Sequence, residues 1–153
     1  MLKTKRTFKT KSKGLAAIEM MIVLPILLLL MGAIFEVGRI FIHYTMLNKA
    51  LQNGARYAVL DVYGTDRSNL VADETEIKNI VVYGNKSDTV GDNTLSSVLP
   101  GLTRSNISVD DSLSDYISIS ADYAYSPVFS TIPIIGTAFS LNMTASSLMR
   151  VNP

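Results

Sequence analysis

Lys11-Ser12-Lys13-Gly14-Leu15-Ala16-Ala17-Ile18-Glu19-Met20-Met21-Ile22-Val23-Leu24-Pro25 is the run whose reading decides the fold. A basic leader stops at Gly14, and an apolar run that holds one carboxylate, Glu19, begins at Leu15. From Met20 to Phe35 no residue carries a charge. As a helix, Leu15 to Phe35 is about 31 Å long, matching a bilayer core of about 30 Å. A carboxylate in such a run costs about 2.5–3.5 kcal/mol at mid-bilayer and less near the interface. Glu19 is therefore a candidate functional residue. The span is read as residues 15–36, with 1–14 as the leader and 37–153 as one small domain.

Toward the N-terminus, Lys3, Lys5, Arg6, Lys9, Lys11 and Lys13 stand without any acidic residue. The rest of the chain holds eight basic and thirteen acidic side chains, so a formal charge of +1 conceals a net −5 beyond the leader. A basic cluster directly before a membrane span is a topology signal, and no nucleic-acid footprint is read from it. It predicts a cytoplasmic N-terminus and a domain on the far side of the membrane. An ordinary secretory signal fits less well, because Met31-Gly32-Ala33 puts a bulky residue where a cleavage site needs a small one. The chain has no cysteine, which excludes disulfides, thiol catalysis and lipoprotein anchoring.

Toward the C-terminus, the helical pattern runs on to about Leu60. Pro25 lies inside it and predicts a kink, because proline cannot bond the carbonyl of Met21. Glu36 and Arg39 sit three apart, a spacing that lets them pair at headgroup level. Leu47, Leu51, Ala55 and Ala58 form an apolar stripe. Ala50, Gly54 and Ala58 form a row of small residues that lets another element approach, with core packing favoured over a subunit interface. Asp61 to Asn69 reads as a loop. A second helix is predicted from about Asp73, with Asp73 and Glu76 at capping-box spacing, apolar Ile77, Ile80, Val81 and Tyr83, and a stop at Gly84-Asn85. The β-branched run at 80–83 also fits a short strand. Asn85 to Arg104 is rich in turn residues and reads as a surface loop.

The last third alternates. Ile107 and Val109 flank Ser108. Ile117, Ile119, Ala121, Tyr123 and Tyr125 fall on one face, with Ser118, Ser120 and Asp122 on the other. Phe139 to Ala145 alternates likewise, and Pro127 to Gly136 between them reads as a loop or broken helix. One apolar face per strand means an antiparallel sheet covered on one side. The fold class is therefore α+β: a long N-terminal transmembrane helix continuing into a small domain with a second helix and a C-terminal antiparallel sheet.

No catalytic constellation stands out, so no enzyme and no cofactor is expected. His43 is the one histidine and lies just past the span, where an interfacial role is expected before a ligand role. Asp110, Asp111 and Asp115 could hold calcium through oxygens, though they lack EF-hand spacing and a solvated turn is the plainer reading. Tyr116, Tyr123 and Tyr125 read as sheet packing, with an adhesive surface as the alternative.

Gly14-Leu15-Ala16-Ala17-Ile18-Glu19 resembles the processing motif of type IV pilin-like proteins. Leu24-Pro25, Glu36-Val37-Gly38-Arg39, Gly54-Ala55-Arg56-Tyr57-Ala58 and the terminal Met149-Arg150 follow in an order similar to the TadE-like minor pilins of tight-adherence (Flp) pilus systems. The resemblance covers the first 60 residues well and the rest loosely. It implies cleavage between Gly14 and Leu15 by a prepilin peptidase. It also implies pairing of subunits in the membrane through Glu19. The implied partners are the major Flp pilin, the other minor pilin, the inner-membrane assembly platform and membrane lipid. Met20 stands where major Flp pilins carry tyrosine. With the larger domain, this points to a minor subunit, of TadE or TadF type. The alternative is an unprocessed single-pass anchor presenting a small periplasmic binding domain.

Overall fold

The computed structural model describes residues 13–60, 72–90, 93–112, 116–128, 131, 136 and 138–151. The expected leader before residue 13 and the loop at 61–69 lie outside the described residues, as do Asp115 and most of the segment between Pro127 and Gly136. The elements are helices α1 (Lys13–Leu60) and α2 (Glu74–Tyr83) and strands β1 (Thr89–Val90), β2 (Asn93–Thr94), β3 (Ile107–Asp110), β4 (Tyr116–Tyr125) and β5 (Leu141–Arg150). The α+β layout expected from the sequence is the one observed. The chain divides into two compact units, Met1–Val37 and Gly38–Pro153.

In the first unit the described residues are all in α1. Its apolar side chains, from Leu15 and Ile18 through Ile26 and Leu30 to Phe35, are exposed. Among the described residues no protein packs over this stretch, and a helix apolar all round is one that a membrane can take up. α1 is the one helix among the described residues long and apolar enough to cross a membrane. Helical structure runs through Pro25 without a break.

The second unit is built on the part of α1 beyond Gly38. Leu47, Leu51, Ala55 and Ala58 are buried, as their spacing predicts. The small-residue row lies in the core rather than on an outer surface. A Cβ added at Gly54 would stand 2.4 Å from Val81 Cγ2 and 3.6 Å from Ile119 Cδ1. Glycine here lets α2 and the sheet close onto α1.

Helix α2 forms where the local signals place it, and the strand alternative for 80–83 falls. Asp73 caps it, its Oδ1 accepting the Thr75 N–H at 2.7 Å. Glu74 and Glu76 occupy the first turn, where carboxylates suit the helix dipole. Gly84 ends the helix at φ 71°, a left-handed conformation that costs glycine least. The expected capping partner, Glu76, instead accepts the Tyr57 hydroxyl of α1, and Lys86 stands 4.7 Å over the Tyr57 ring. Ile77, Val81 and Val82 are buried.

The stretch from Asn85 to Arg104 departs from a plain surface loop. It holds the β1–β2 hairpin, and both Leu99 and Leu102 are buried in the core. Asn79 explains the path. Buried on α2, its amide donates to the Lys86 carbonyl at 2.9 Å, and its Oδ1 accepts from Arg104 at 3.4 Å. Arg104 in turn meets Asp88 at 3.6 Å. A buried amide with both ends satisfied holds the loop down instead of destabilising the core.

The sheet has the order β3-β4-β5, antiparallel throughout. Tyr116↔Arg150 to Tyr125↔Leu141 gives ten uninterrupted pairs. Ile117, Ile119, Ala121, Tyr123 and Tyr125 are all buried, so the alternation in β4 marks its core face. β5 extends to Arg150, five residues past the run that alternates in sequence, because Ser146 and Ser147 hide the period.

Candidate functional site

The candidate site residues of the first unit are carried by α1 alone. Gly14 and Leu15 lie in its first turns, both exposed. Glu19 follows Leu15 by four residues, about 6 Å along the axis and on the same face. It too is exposed. Pro25 comes six residues later, where the missing proline N–H leaves the Met21 carbonyl without its helical donor. Glu36 is half-buried near the end of the unit. Leu15 and Glu19 are exposed, so what they do depends on what surrounds the helix.

In the second unit α1 lies against β4, and the contact is more polar than the sequence suggested. The Arg39 guanidinium stands 6.0 Å over the Tyr125 ring. One turn on, His43 meets Tyr125 edge-on with centroids 5.2 Å apart. Its Nδ1 is 3.3 Å from the Tyr123 hydroxyl oxygen. That hydroxyl donates to the Pro100 carbonyl at 2.9 Å. The one phenolic proton is thus committed, and Nδ1–H of His43 is the donor in the other contact. Burial pushes the Tyr123 hydroxyl above its usual pKa, and the Arg39 charge pulls the other way. His43 therefore ties α1 to β4, and Tyr123 ties β4 to the turn at Pro100. The spacing His43, Leu47, Leu51 carried this signal, since it puts the histidine on the buried stripe.

Of the three tyrosines, Tyr123 and Tyr125 are core residues and Tyr116 is exposed. The aspartate cluster shows no metal geometry among the described residues. Asp110 is exposed and accepts the Ser112 N–H at 3.0 Å. Hydrogen bonds from the Ser112 hydroxyl and backbone hold its carboxyl below the usual carboxylate range.

Residues 14–56 match the family model described as TadE-like protein. This N-terminal segment is TadE-like. The match begins at Gly14, takes in Glu19, Pro25, Glu36 and Arg39, and ends inside the buried stripe of α1. No curated protein matches the chain, and no solved structure does. The TadE-like segment thus holds every residue singled out in α1 for processing, membrane pairing and the membrane boundary. The sheet and α2 lie outside it. The matching model is that of a Tad pilus-associated family, and α1 is long and apolar enough to cross a membrane once.

Proposed function

We propose that the chain is a minor pilin of a tight-adherence pilus. It is cut between Gly14 and Leu15 by a prepilin peptidase and held in the inner membrane with its domain in the periplasm. It then joins the major pilin and the other minor pilin on the assembly platform. The observation that carries this reading is the start of the TadE-like match at Gly14, where the basic leader meets the apolar helix. In this reading residues 1–14 are the leader, 15–36 the span and 37–153 the periplasmic domain. Glu36 and Arg39 pair at the outer headgroups, and the Pro25 kink lets the span adapt to its neighbours.

Glu19 acts with the amine that cleavage creates. The new α-amino group of Leu15 has a reference pKa of about 7.7–8.0, so at neutral pH it is largely protonated. In a low dielectric an unpaired carboxylate is costly, and a paired one much less so. A small axial stagger between two helices brings the amine of an incoming subunit to Glu19 of its neighbour, favouring association and setting register together. Glu19→Ala is expected to insert in the membrane normally but to lose co-purification with the major pilin after membrane crosslinking. Glu19→Asp, one methylene shorter, is expected to retain part of it. Wild-type recovery and wild-type fibre counts for Glu19→Ala would remove the carboxylate from assembly.

A further inference from the structure

Beyond Gly38 the exposed surface of α1 changes character along its length. Phe41 and Ile42 are more than half exposed, and Tyr44 and Met46 nearly so. The buried stripe, from Leu47 on, does not include them. The exposed positions that follow before Leu60 are Lys49, Gln52, Asn53 and Arg56. The outward side of the helix therefore turns polar within one turn of Met46.

The apolar part is wide. At about 100° per residue, Tyr44, Phe41, Ile42 and Met46 spread over about 200° of the helix surface. A single partner helix covers a seam of about 100° or less. A medium that surrounds the helix covers the whole arc. Tyr44, at one end of the arc, has the ring and hydroxyl that favour a membrane–water boundary.

The polar side chains interleaved with this patch turn back onto the protein. Thr45 Oγ1 donates to the Phe41 carbonyl at 2.8 Å, and Asn48 Nδ2 donates to the Tyr44 carbonyl at 2.9 Å. Arg39 lies over the Tyr125 ring, and His43 lies against Tyr123 and Tyr125. A polar group bonded to its own helix leaves water at low cost, whereas an unbonded one carries the full desolvation penalty. These contacts fit the stretch to an apolar surrounding on its outward side.

Ile42 follows Arg39 by three residues and Met46 follows it by seven, about 4.5 and 10 Å along the axis. A headgroup layer is about 5–8 Å deep on each side of a bilayer core. With Arg39 at the outer headgroups, the layer that covers it thus reaches Phe41 and Ile42 and approaches Met46.

We propose that the outward face of α1 at Phe41, Ile42 and Met46 is a lipid-docking surface. It beds the first two turns of the domain in the interfacial layer of a phospholipid membrane, and Lys49 begins the face that water covers. The membrane-embedded surface then extends past residue 36 into the folded domain itself. The inference rests on α1 crossing a membrane and is independent of cleavage at Gly14.

The full chain has no cysteine, so single cysteines at exposed positions can carry an environment-sensitive fluorophore. Ile42→Cys and Met46→Cys report on the patch, Gln52→Cys on the polar side and Ile26→Cys on the span. Each labelled chain is placed in nanodiscs of phosphatidylethanolamine and phosphatidylglycerol at one copy per disc. Lipids with a headgroup nitroxide are expected to quench the labels at 42 and 46. Iodide in the water is expected to quench the label at 52 several times more strongly than either. Iodide quenching at 42 or 46 as strong as at 52 overturns the proposal. So does shielding that appears only when discs hold several copies, which assigns the patch to a second copy of the chain. The label at 26 reports on the membrane separately. If lipids with an acyl-chain nitroxide fail to quench it, the membrane reading fails and the docking with it. If they quench it while 42 and 46 stay open to iodide, the docking alone fails.

Discussion

Replacing Gly54 by alanine is expected to destabilise the domain, and the sign of the effect is expected to reverse when Val81 is shortened. In an exposed helix, Gly→Ala stabilises by about 0.8–1 kcal/mol, because alanine gives up less backbone entropy. At Gly54 the added Cβ would stand 2.4 Å from Val81 Cγ2, well inside contact distance, with Ile119 Cδ1 at 3.6 Å and Ile77 Cγ2 at 3.8 Å. Val81 is fully buried on α2, and a β-branched side chain in a helix has one favoured rotamer. It cannot swing away, so α2 must shift. Overpacking of this kind costs about 1–3 kcal/mol. Near the upper end, the difference leaves Gly54→Ala about 1–2 kcal/mol less stable than the parent. Val81→Ala removes the opposing methyl. In that background the propensity term acts alone, and Gly54→Ala stabilises by about 1 kcal/mol. Urea unfolding of the detergent-purified protein, followed by tyrosine fluorescence, gives all four corners of the cycle. A coupling near zero, with Gly54→Ala stabilising in both backgrounds, would refute the close approach of α1 and α2.

Burial raises the Tyr123 pKa, so the domain favours the neutral phenol. The stability this contributes is full below the unfolded value of about 10 and is lost as pH rises through the higher folded value. Alkaline unfolding is therefore expected to begin above about pH 10 and to weaken in Tyr123→Phe, as read by circular dichroism against pH; an unchanged alkaline profile would contradict the burial argument. A fragment beginning at Gly38 is expected to fold as a soluble domain. One beginning at Tyr44, which lacks Arg39 and His43, is expected to melt earlier. Equal melting temperatures would mean that the cluster at Tyr123 and Tyr125 adds nothing to the domain.

Period carried most of the fold. The stripe Leu47, Leu51, Ala55 and Ala58 and the alternation from Ile117 to Tyr125 each reflect one buried face on a regular backbone. That regularity is why the long helix and the central strand were legible. Leu99 and Leu102 were not, because two leucines among turn residues have no period. Their burial depends on Asn79, whose amide draws the Lys86 carbonyl and Arg104 toward α2 from distant positions in the chain. Glu76 misled for a related reason: capping spacing is local, and Tyr57 on another helix supplies the stronger partner. The candidate residues from Gly14 to Arg39 stand out in the sequence because leader, carboxylate and proline come in one linear order. The contacts of Tyr123 with His43 and with the Pro100 carbonyl join residues far apart in the chain; spacing puts His43 on the buried stripe but does not name its partners.

The central proposal is that the chain is processed at the junction of its leader and its helix, where the TadE-like match begins. The intact mass of the protein extracted from membranes of cells that contain the peptidase tests it directly. The account predicts a chain beginning at Leu15, having lost residues 1–14, and the full-length mass in cells without the peptidase. A chain beginning at Met1 in both strains would contradict it and leave an unprocessed membrane anchor.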